Sequence, residues 1–365
     1  MLKETTPADP GRRRLVTAAA AATVAQLAPP FIITARAADT VKIGLDNPLT
    51  GTYAAVGKNE RNVNSALALA MAQVSNEKNV IQIVPGGHTD AITGTTCHWN
   101  VFRVCNTTQM EANAVAAKLI KEAGKKWYFI TPDYSFGHTL QGGLEKAGAK
   151  LGYTMAGADL TPLGTTDYSS YLIKAQSANP DVIIFLTQGD DMINALKQAV
   201  QFGLDKKVHL AGAQQELEAL IGLPPEARIG TWVFEWYWKQ PGNQHVADFV
   251  AAVKKKTGHV PTARTWFGYV STWTCALGAN TAKSLDAVKV AKVLQDFKLP
   301  PEVALAPNDP FYRGGQNQLI ASLFVGNAQA KGSEAEDLFN VTEVVKGTDA
   351  AGPLEESGCK MTWPT

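Results

Sequence analysis

Apolar and polar positions along the chain switch repeatedly between two periods. Residues 41–45 (Val-Lys-Ile-Gly-Leu) alternate with period two and carry β-branched side chains, which predicts a first strand. Positions 62–77 repeat at helical spacing, and 80–84 reads as the next strand. Helix and strand patterns then follow in turn: helix 110–123, strand 127–130, helix 137–151, strand 153–160 and helix 168–178. Residues 182–186 form a continuous apolar run, the pattern of a parallel strand buried on both faces. A helix at 190–202 and a strand at 208–211 continue the series, and 231–238 reads as an aromatic strand. Helices are expected at 244–257, 262–283 and 286–297, with late strands at 319–325 and 339–345. Repeated β-α-β order predicts parallel sheets flanked by helices, with ligands beyond the C-terminal strand ends.

Composition changes this picture little. The chain has 365 residues, enough for two or three domains of about 100–200 residues, and 45% of it is apolar, which supports a sizeable core. Its net charge of +1 hides an asymmetry. Residues 1–37 hold Lys3, Arg12, Arg13, Arg14 and Arg36 against Glu4 and Asp9; the rest is nearly balanced and slightly acidic. Polyanion binding needs clustered bases, so nucleic acid is not an expected partner.

The basic N-terminus has its own logic. Arg12-Arg13-Arg14 precedes an alanine-rich apolar run at 15–28, then Pro29-Pro30 and Ala35-Arg36-Ala37. Basic region, apolar region and small-residue site stand in the order of an export signal cleaved near Ala37. The apolar run is too short to cross about 30 Å of hydrocarbon. Arg-Arg-Arg-Leu-Val resembles a twin-arginine signal, so a periplasmic, soluble mature protein is expected. Four cysteines suit that compartment. Cys275 sits in an apolar helical stretch and reads as a buried thiol. Cys97, Cys105 and Cys359 can supply one disulfide; Cys97 with Cys359 is preferred, and spacing leaves the connectivity open. Neither cysteines nor histidines show metal spacing, so no metal or cofactor is expected.

The loops after the strands carry the candidate chemistry. Residues 47–57 hold Tyr53 among Gly and Thr, a binding loop or a plain turn. Asn62-Val63-Asn64-Ser65 opens a helix; Ser65 either caps it or presents amides to a carboxylate. Gly86-Gly87-His88 follows a strand, and paired glycines let a backbone approach a ligand closely. His88 reads as a polar lining residue, since no nucleophile pattern accompanies it. Tyr134 and Phe136 follow the strand at 127–130 and suit stacking on an apolar or aromatic ligand. Gln188 and Gln214 follow the strands at 182–186 and 208–211. Asp190-Asp191 is a carboxylate pair or a favourable helix start. Glu235-Trp236-Tyr237-Trp238 suits an interdomain hinge strand. No phosphate-cradling loop, GxSxG or HExxH occurs, which favours binding over catalysis.

Taken in order, these segments resemble the type I periplasmic solute-binding proteins of ABC importers, the leucine/isoleucine/valine-binding family, and within it a subgroup handling amides, amino acids and aromatic acids. The resemblance rests on 41–57, on Asn64-Ser65-Ala66-Leu67-Ala68-Leu69-Ala70 through Asn106, on 131–138, on Asp167-Tyr168-Ser169-Ser170-Tyr171-Leu172, and on Ala195-Leu196-Lys197-Gln198-Ala199 with Phe202-Gly203. It implies a two-lobed α/β fold with parallel sheets flanked by helices. Lobe 1 would be 39–107 and 241–312, lobe 2 would be 108–232 and 318–346, and 347–365 a tail. It implies ligand contacts from Tyr53, Ser65, Gly86, Gly87, His88, Tyr134, Phe136, Gln188 and Gln214. A glutamine rather than an acid at 214 argues against a zwitterionic amino acid and toward an aromatic or hydrophobic carboxylate or an amide.

Against the family pattern, a helix, strand, helix and strand are absent between Gly57 and Asn64, which predicts an internal deletion near 60–62 and a reduced lobe 1. The expected function is a monomeric periplasmic receptor that delivers a small molecule to the membrane subunits of an importer. The alternatives are a ligand-sensing module for a receptor, an amidase using His88 with Asp90 or Asp133, and a non-functional truncated paralogue.

Overall fold

The computed structural model describes residues 64–364. The export signal, the strand at 41–45, Tyr53 and the junction at 60–62 lie outside the described residues.

Two sheets organise the described residues. The smaller has four strands: β1 (Gln82–Val84) and β2 (Val101–Arg103), with β8 (Phe311–Arg313) and β9 (Gln318–Ile320) added from far along the chain. Its order is β1-β2-β9-β8, parallel except for the β8–β9 pair. The larger sheet has seven strands: β3 (Lys126–Pro132), β4 (Thr154–Thr161), β5 (Val182–Phe185), β6 (His209–Ala211), β7 (Thr231–Phe234), β10 (Leu323–Ala328) and β11 (Phe339–Val345). Its order is β11-β10-β7-β6-β5-β3-β4, and only the pairs made by β10 are antiparallel. The chain passes between the sheets after β2, after β7 and between β9 and β10.

The helices follow the expected series. α1 (Ser65–Glu77) precedes β1, and α2 (Thr108–Glu122) carries the chain to the larger sheet. α3 (Ser135–Ala149), α4 (Ser169–Ser177), α5 (Gly189–Gln201) and the short α6 (Leu217–Gly222) link its strands. α7 (Gln244–Thr257), α8 (Ala263–Ala282), α9 (Ala287–Val293) and α10 (Pro301–Ala304) lie between β7 and β8, and α11 (Gly347–Ala351) follows β11. Asn64 caps α1, its Oδ1 accepting from the Ala66 and Leu67 N–H groups at 2.8 and 3.2 Å. Thr107 caps α2 in the same way through the Met110 N–H.

Period two sorts the larger sheet into two faces. Trp127, Phe129, Val182, Ile184 and Val233 point to a core shared with α2 and α3. Tyr128, Ile130, Ile183, Phe185 and Trp232 point to the opposite core, which takes in α4 and α5. Each fully buried side chain of this size contributes about 1.5–3 kcal/mol, so the central strands hold this half together.

Five elements of the described residues escaped the sequence reading: β2, α6, α10, β8 and α11, the last lying in what was expected to be a tail. Each has six residues or fewer, too short for a period to register. The single late strand expected at 319–325 is two strands in different sheets, divided at Ala321-Ser322. Residue 318 therefore sides with the smaller sheet, and the larger sheet resumes only at Leu323. The aromatic strand stops at Phe234, and residues 235–238 continue as a buried connection. Cys97 and Cys359 form the preferred disulfide. Cys275 is half-buried rather than buried. Among the described residues, no helix is long and apolar enough to cross a membrane.

Candidate functional site

The site begins with a buried arginine. Arg103 ends β2 and is fully buried. Its Nη1 donates to the carbonyls of Gly87, His88 and Thr89 at 3.1, 3.1 and 2.6 Å, and its Nε donates to Gln318 Oε1 at 2.6 Å. One guanidinium thus shapes the loop after β1 and ties it to β9. Ser65 holds the same loop from the other side, its Oγ accepting from the Thr89 N–H at 3.2 Å. Capping falls to Asn64, which leaves Ser65 for this contact. Gly87 is required for closeness of a different kind from that expected: a Cβ there would stand 2.8 Å from the Ala68 Cβ of α1 and 2.8 Å from Ile92. Gly86 beside it is also buried.

The loop delivers His88 into the space between the sheets. Its Nδ1 lies 3.1 Å from the Asn106 carbonyl, which assigns the ring proton to Nδ1. Nε2 is then an acceptor and meets two donors, Gln214 Nε2 at 3.1 Å and Arg264 Nη1 at 3.2 Å. Burial, and then the Arg264 charge, hold the His88 pKa well below the usual imidazole range, so the ring is neutral.

Two carboxylates close on this histidine. Glu111 comes from the first turn of α2 and Glu235 from the connection after β7. Each has its Oε1 3.4 Å from His88 Nδ1. The Asn106 N–H donates to Glu235 Oε1 at 2.7 Å, and the Gln214 amide donates to Glu235 Oε2 at 2.9 Å and Glu111 Oε1 at 3.2 Å. Burial pushes Glu235 up to about 7 against the pull of Arg264. Burial, and then the charge of Glu235, push Glu111 well above the usual carboxylate range. Arg264, from the first turn of α8, makes a close ion pair with Glu216. Its guanidinium lies 5.5 Å over the Phe267 ring.

Aromatic rings wall the cluster. Phe136 and Phe267 lie 5.9 and 6.4 Å from the His88 ring, and Tyr134 lies 5.8 Å from Phe136. Gln188 starts α5 and donates from Nε2 to the Gln214 carbonyl at 3.4 Å. Tertiary folding therefore brings His88, Gln188 and Gln214 together from three separate loops with Phe136 from the first turn of α3, Tyr134 packing against Phe136 and Ser65 holding the loop of Gly86 and Gly87. Asp190 and Asp191 lie in the first turn of α5, and Asp191 ties that turn to the loop after β4, accepting from the Gly164 N–H at 3.1 Å; burial pushes it up to about 6. Asp133 pairs with His138 rather than His88.

Sequence reasoning missed Glu111, Glu216, Glu235 and Arg264. The signal was a charge embedded in apolar sequence, clearest in Thr262-Ala263-Arg264-Thr265-Trp266-Phe267 and Phe234-Glu235-Trp236. These residues also add acids beside Gln214, the glutamine that argued against a zwitterionic amino acid: its amide donates to Glu111 and Glu235.

Comparison with known proteins now defines the class. A family model described as periplasmic binding protein matches residues 61–333, and the chain belongs to that family. Its fold is that of type I periplasmic binding proteins. A periplasmic binding protein from Burkholderia mallei superposes with a TM-score of 0.76 at 26% identity, covering 82% of this chain and 78% of that one. The amino acid ABC transporter substrate-binding protein from Pseudomonas fluorescens Pf-5 gives 0.73 at 26%, covering 81% and 79%. The Leu/Ile/Val-binding protein homolog 4 of Brucella abortus (strain 2308) is 24% identical over 188 residues, 51% of this chain and 45% of that protein. The chain thus spans under half the length of that curated relative. The family and these structural neighbours are solute-binding proteins, not enzymes.

Proposed function

We propose that the protein is the periplasmic substrate-binding component of an ABC importer, exported by its N-terminal signal, and that it holds a small amino acid or amide between the two sheets. Ser65, Gly86, Gly87, His88, Tyr134, Phe136, Gln188 and Gln214 form the contact set of this reading, with Tyr53 from the first loop. The membrane subunits of the importer are its protein partner.

One observation carries the reading of the ligand. Buried polar groups are normally paired, because leaving one unpaired costs about 1–3 kcal/mol. Among the described residues, Glu111 Oε2, Glu216 Oε2, Gln188 Oε1, Gln214 Oε1 and Asn106 Oδ1 have no hydrogen-bond partner, against two amide donors in the same state, Asn106 Nδ2 and Gln215 Nε2. The surplus is of acceptors. A ligand bearing N–H donors, an ammonium or an amide, completes such a site better than an aromatic carboxylate, which brings acceptors only. The amino acid transporter relative at 26% identity supports the same class.

The test is thermal melting of the full chain with amino acids, amides and aromatic acids. A ligand at a hundred times its Kd contributes about 2.7 kcal/mol, a readily measured shift. Stabilisation by an amino acid or amide, lost on Gln214→Leu, is expected. Stabilisation by aromatic acids alone would redirect the ligand class. Indifference to the whole panel would sink the reading.

A further inference from the structure

We infer that His88, Glu111 and Glu235 form a binding site for one divalent transition-metal ion, zinc(II) being the best fit, at the inner end of the space between the sheets. The inference goes beyond the proposed ligand and does not depend on it.

Geometry comes first. One ligand atom from each residue lies within 4.8 Å of the other two, and all three side chains are buried. His88 Nδ1 stands 3.4 Å from Glu111 Oε1 and 3.4 Å from Glu235 Oε1. A tetrahedral ion with bonds of about 2.0–2.2 Å holds its ligand atoms about 3.3–3.6 Å apart. The two measured separations fall in that range. One imidazole and two carboxylates is a donor set suited to zinc, and three protein ligands leave a fourth position open.

Charge comes second. Arg264 is matched by Glu216, so that pair is neutral as a unit. The Arg103 guanidinium is engaged by three carbonyls and the Gln318 and Thr93 side chains. Glu111 and Glu235 are two buried acids beside a neutral ring, and Arg103, whose hydrogen-bond acceptors are all neutral, offsets at most one negative charge when both are ionised. A divalent ion taking the place of their protons balances the remainder, since buried charges are normally paired or bound to metal; an amide donor does not.

The surroundings supply the outer contacts that metal ligands use. Glu235 is oriented by the Asn106 N–H, and both glutamates by the Gln214 amide. When Nδ1 binds an ion, the ring proton moves to Nε2 and needs an acceptor. Gln214 Oε1 is buried without a partner, and a turn of that amide presents it to Nε2. Arg264 also faces Nε2, at 3.2 Å, and its Nη1 must turn away from the ring, with the Glu216 pair kept, for the ion to bind.

The experiment is calorimetric titration of zinc(II) into the full chain after EDTA treatment, with melting curves in parallel. One equivalent per chain and a rise in melting temperature are expected, both reduced at least tenfold in affinity by Glu111→Gln and by Glu235→Gln. Melting of each variant without metal checks that it folds. If neither folds, cobalt(II) titration of the parent chain decides: intense visible absorption of a low-coordinate ion supports the site, and its absence overturns it. Zinc uptake unchanged in both variants would assign it to exposed histidines such as His138 and His259 and overturn the inference. Stabilisation by an amino acid with no zinc uptake would overturn it while leaving the proposed function standing. Zinc uptake with no organic ligand would do the reverse.

Discussion

The interior of the seven-stranded sheet and the cluster around His88 are equally shielded from water but built on opposite terms. Phe129 and Ile184 pack in a cluster with Trp127, Val182, Leu140 and Val233, and period-two alternation sends these side chains to partners of their own kind. Around His88, three glutamates, two glutamines and an arginine share the space, and several of their atoms lack a partner. The first region is complete in itself. The second makes sense only as a place that meets something else, and it stands where the larger sheet's C-terminal strand ends face the smaller sheet, as parallel α/β sheets dictate.

Phe129→Ala tests the first region most severely. It is expected to cost about 3–5 kcal/mol in urea denaturation while leaving the identity of the stabilising ligand unchanged. A loss below 1 kcal/mol would mean that this core is looser than its burial indicates. Arg264→Met attacks the second region by stranding Glu216 as a buried, unmatched charge. Its expected cost is about 3 kcal/mol or more, and the double change Arg264→Met with Glu216→Leu should recover most of it. Failure to recover would show that the pair does not act as a unit.

Reducing Cys97–Cys359 acts on neither region directly. The bridge closes a sequence separation of 262 residues, and its loss is expected to cost about 2–5 kcal/mol. Melting with and without reductant reads this out.

Glu235→Gln sharpens the comparison through pH. The folded pKa of Glu235 is raised from 4.5 to about 7, so the fold favours the protonated form. Its contribution is present below the unfolded value and lost as pH rises through about 7, up to about 3 kcal/mol across that window. His88 has the opposite sign: its lowered pKa contributes stability that is lost as pH falls below its ordinary value. The variant should therefore gain on the parent from pH 5 to about pH 7 and the difference should level off above it. A flat difference would show that Glu235 ionises normally. The smallest effect belongs to the surface: Lys174→Ala removes an exposed partner of Asp159 and should cost less than about 1 kcal/mol.

Much of the fold was legible along the chain, since hydrophobic period is a local property. The long helices repeat one period over enough residues to be unmistakable, and the strands at 126–132 and 182–185 stand out by their continuous apolar runs. β2 and β8 were not legible, because three residues carry little period, and one partner of β2, the strand β9, lies about two hundred positions further along the chain. Half of the site could be read, because loops after parallel strands are where ligands go and Gly-Gly-His, Gln188 and Gln214 stand in such loops. The other half could not. Glu111 looks like an ordinary first-turn acid, and Arg264 like a stray charge in a helix; only the fold shows both to be buried.

By itself, then, the sequence determined the α/β class, the helix and strand series of the larger sheet, and which loops end its strands. Tertiary structure alone decided that α2, the connection after β7 and the start of α8 converge on His88. The physical reason is range. A period or a cap is set by neighbours a few residues away, whereas a buried charge cluster is set by desolvation and Coulomb energy among groups that only the completed chain brings within hydrogen-bond distance.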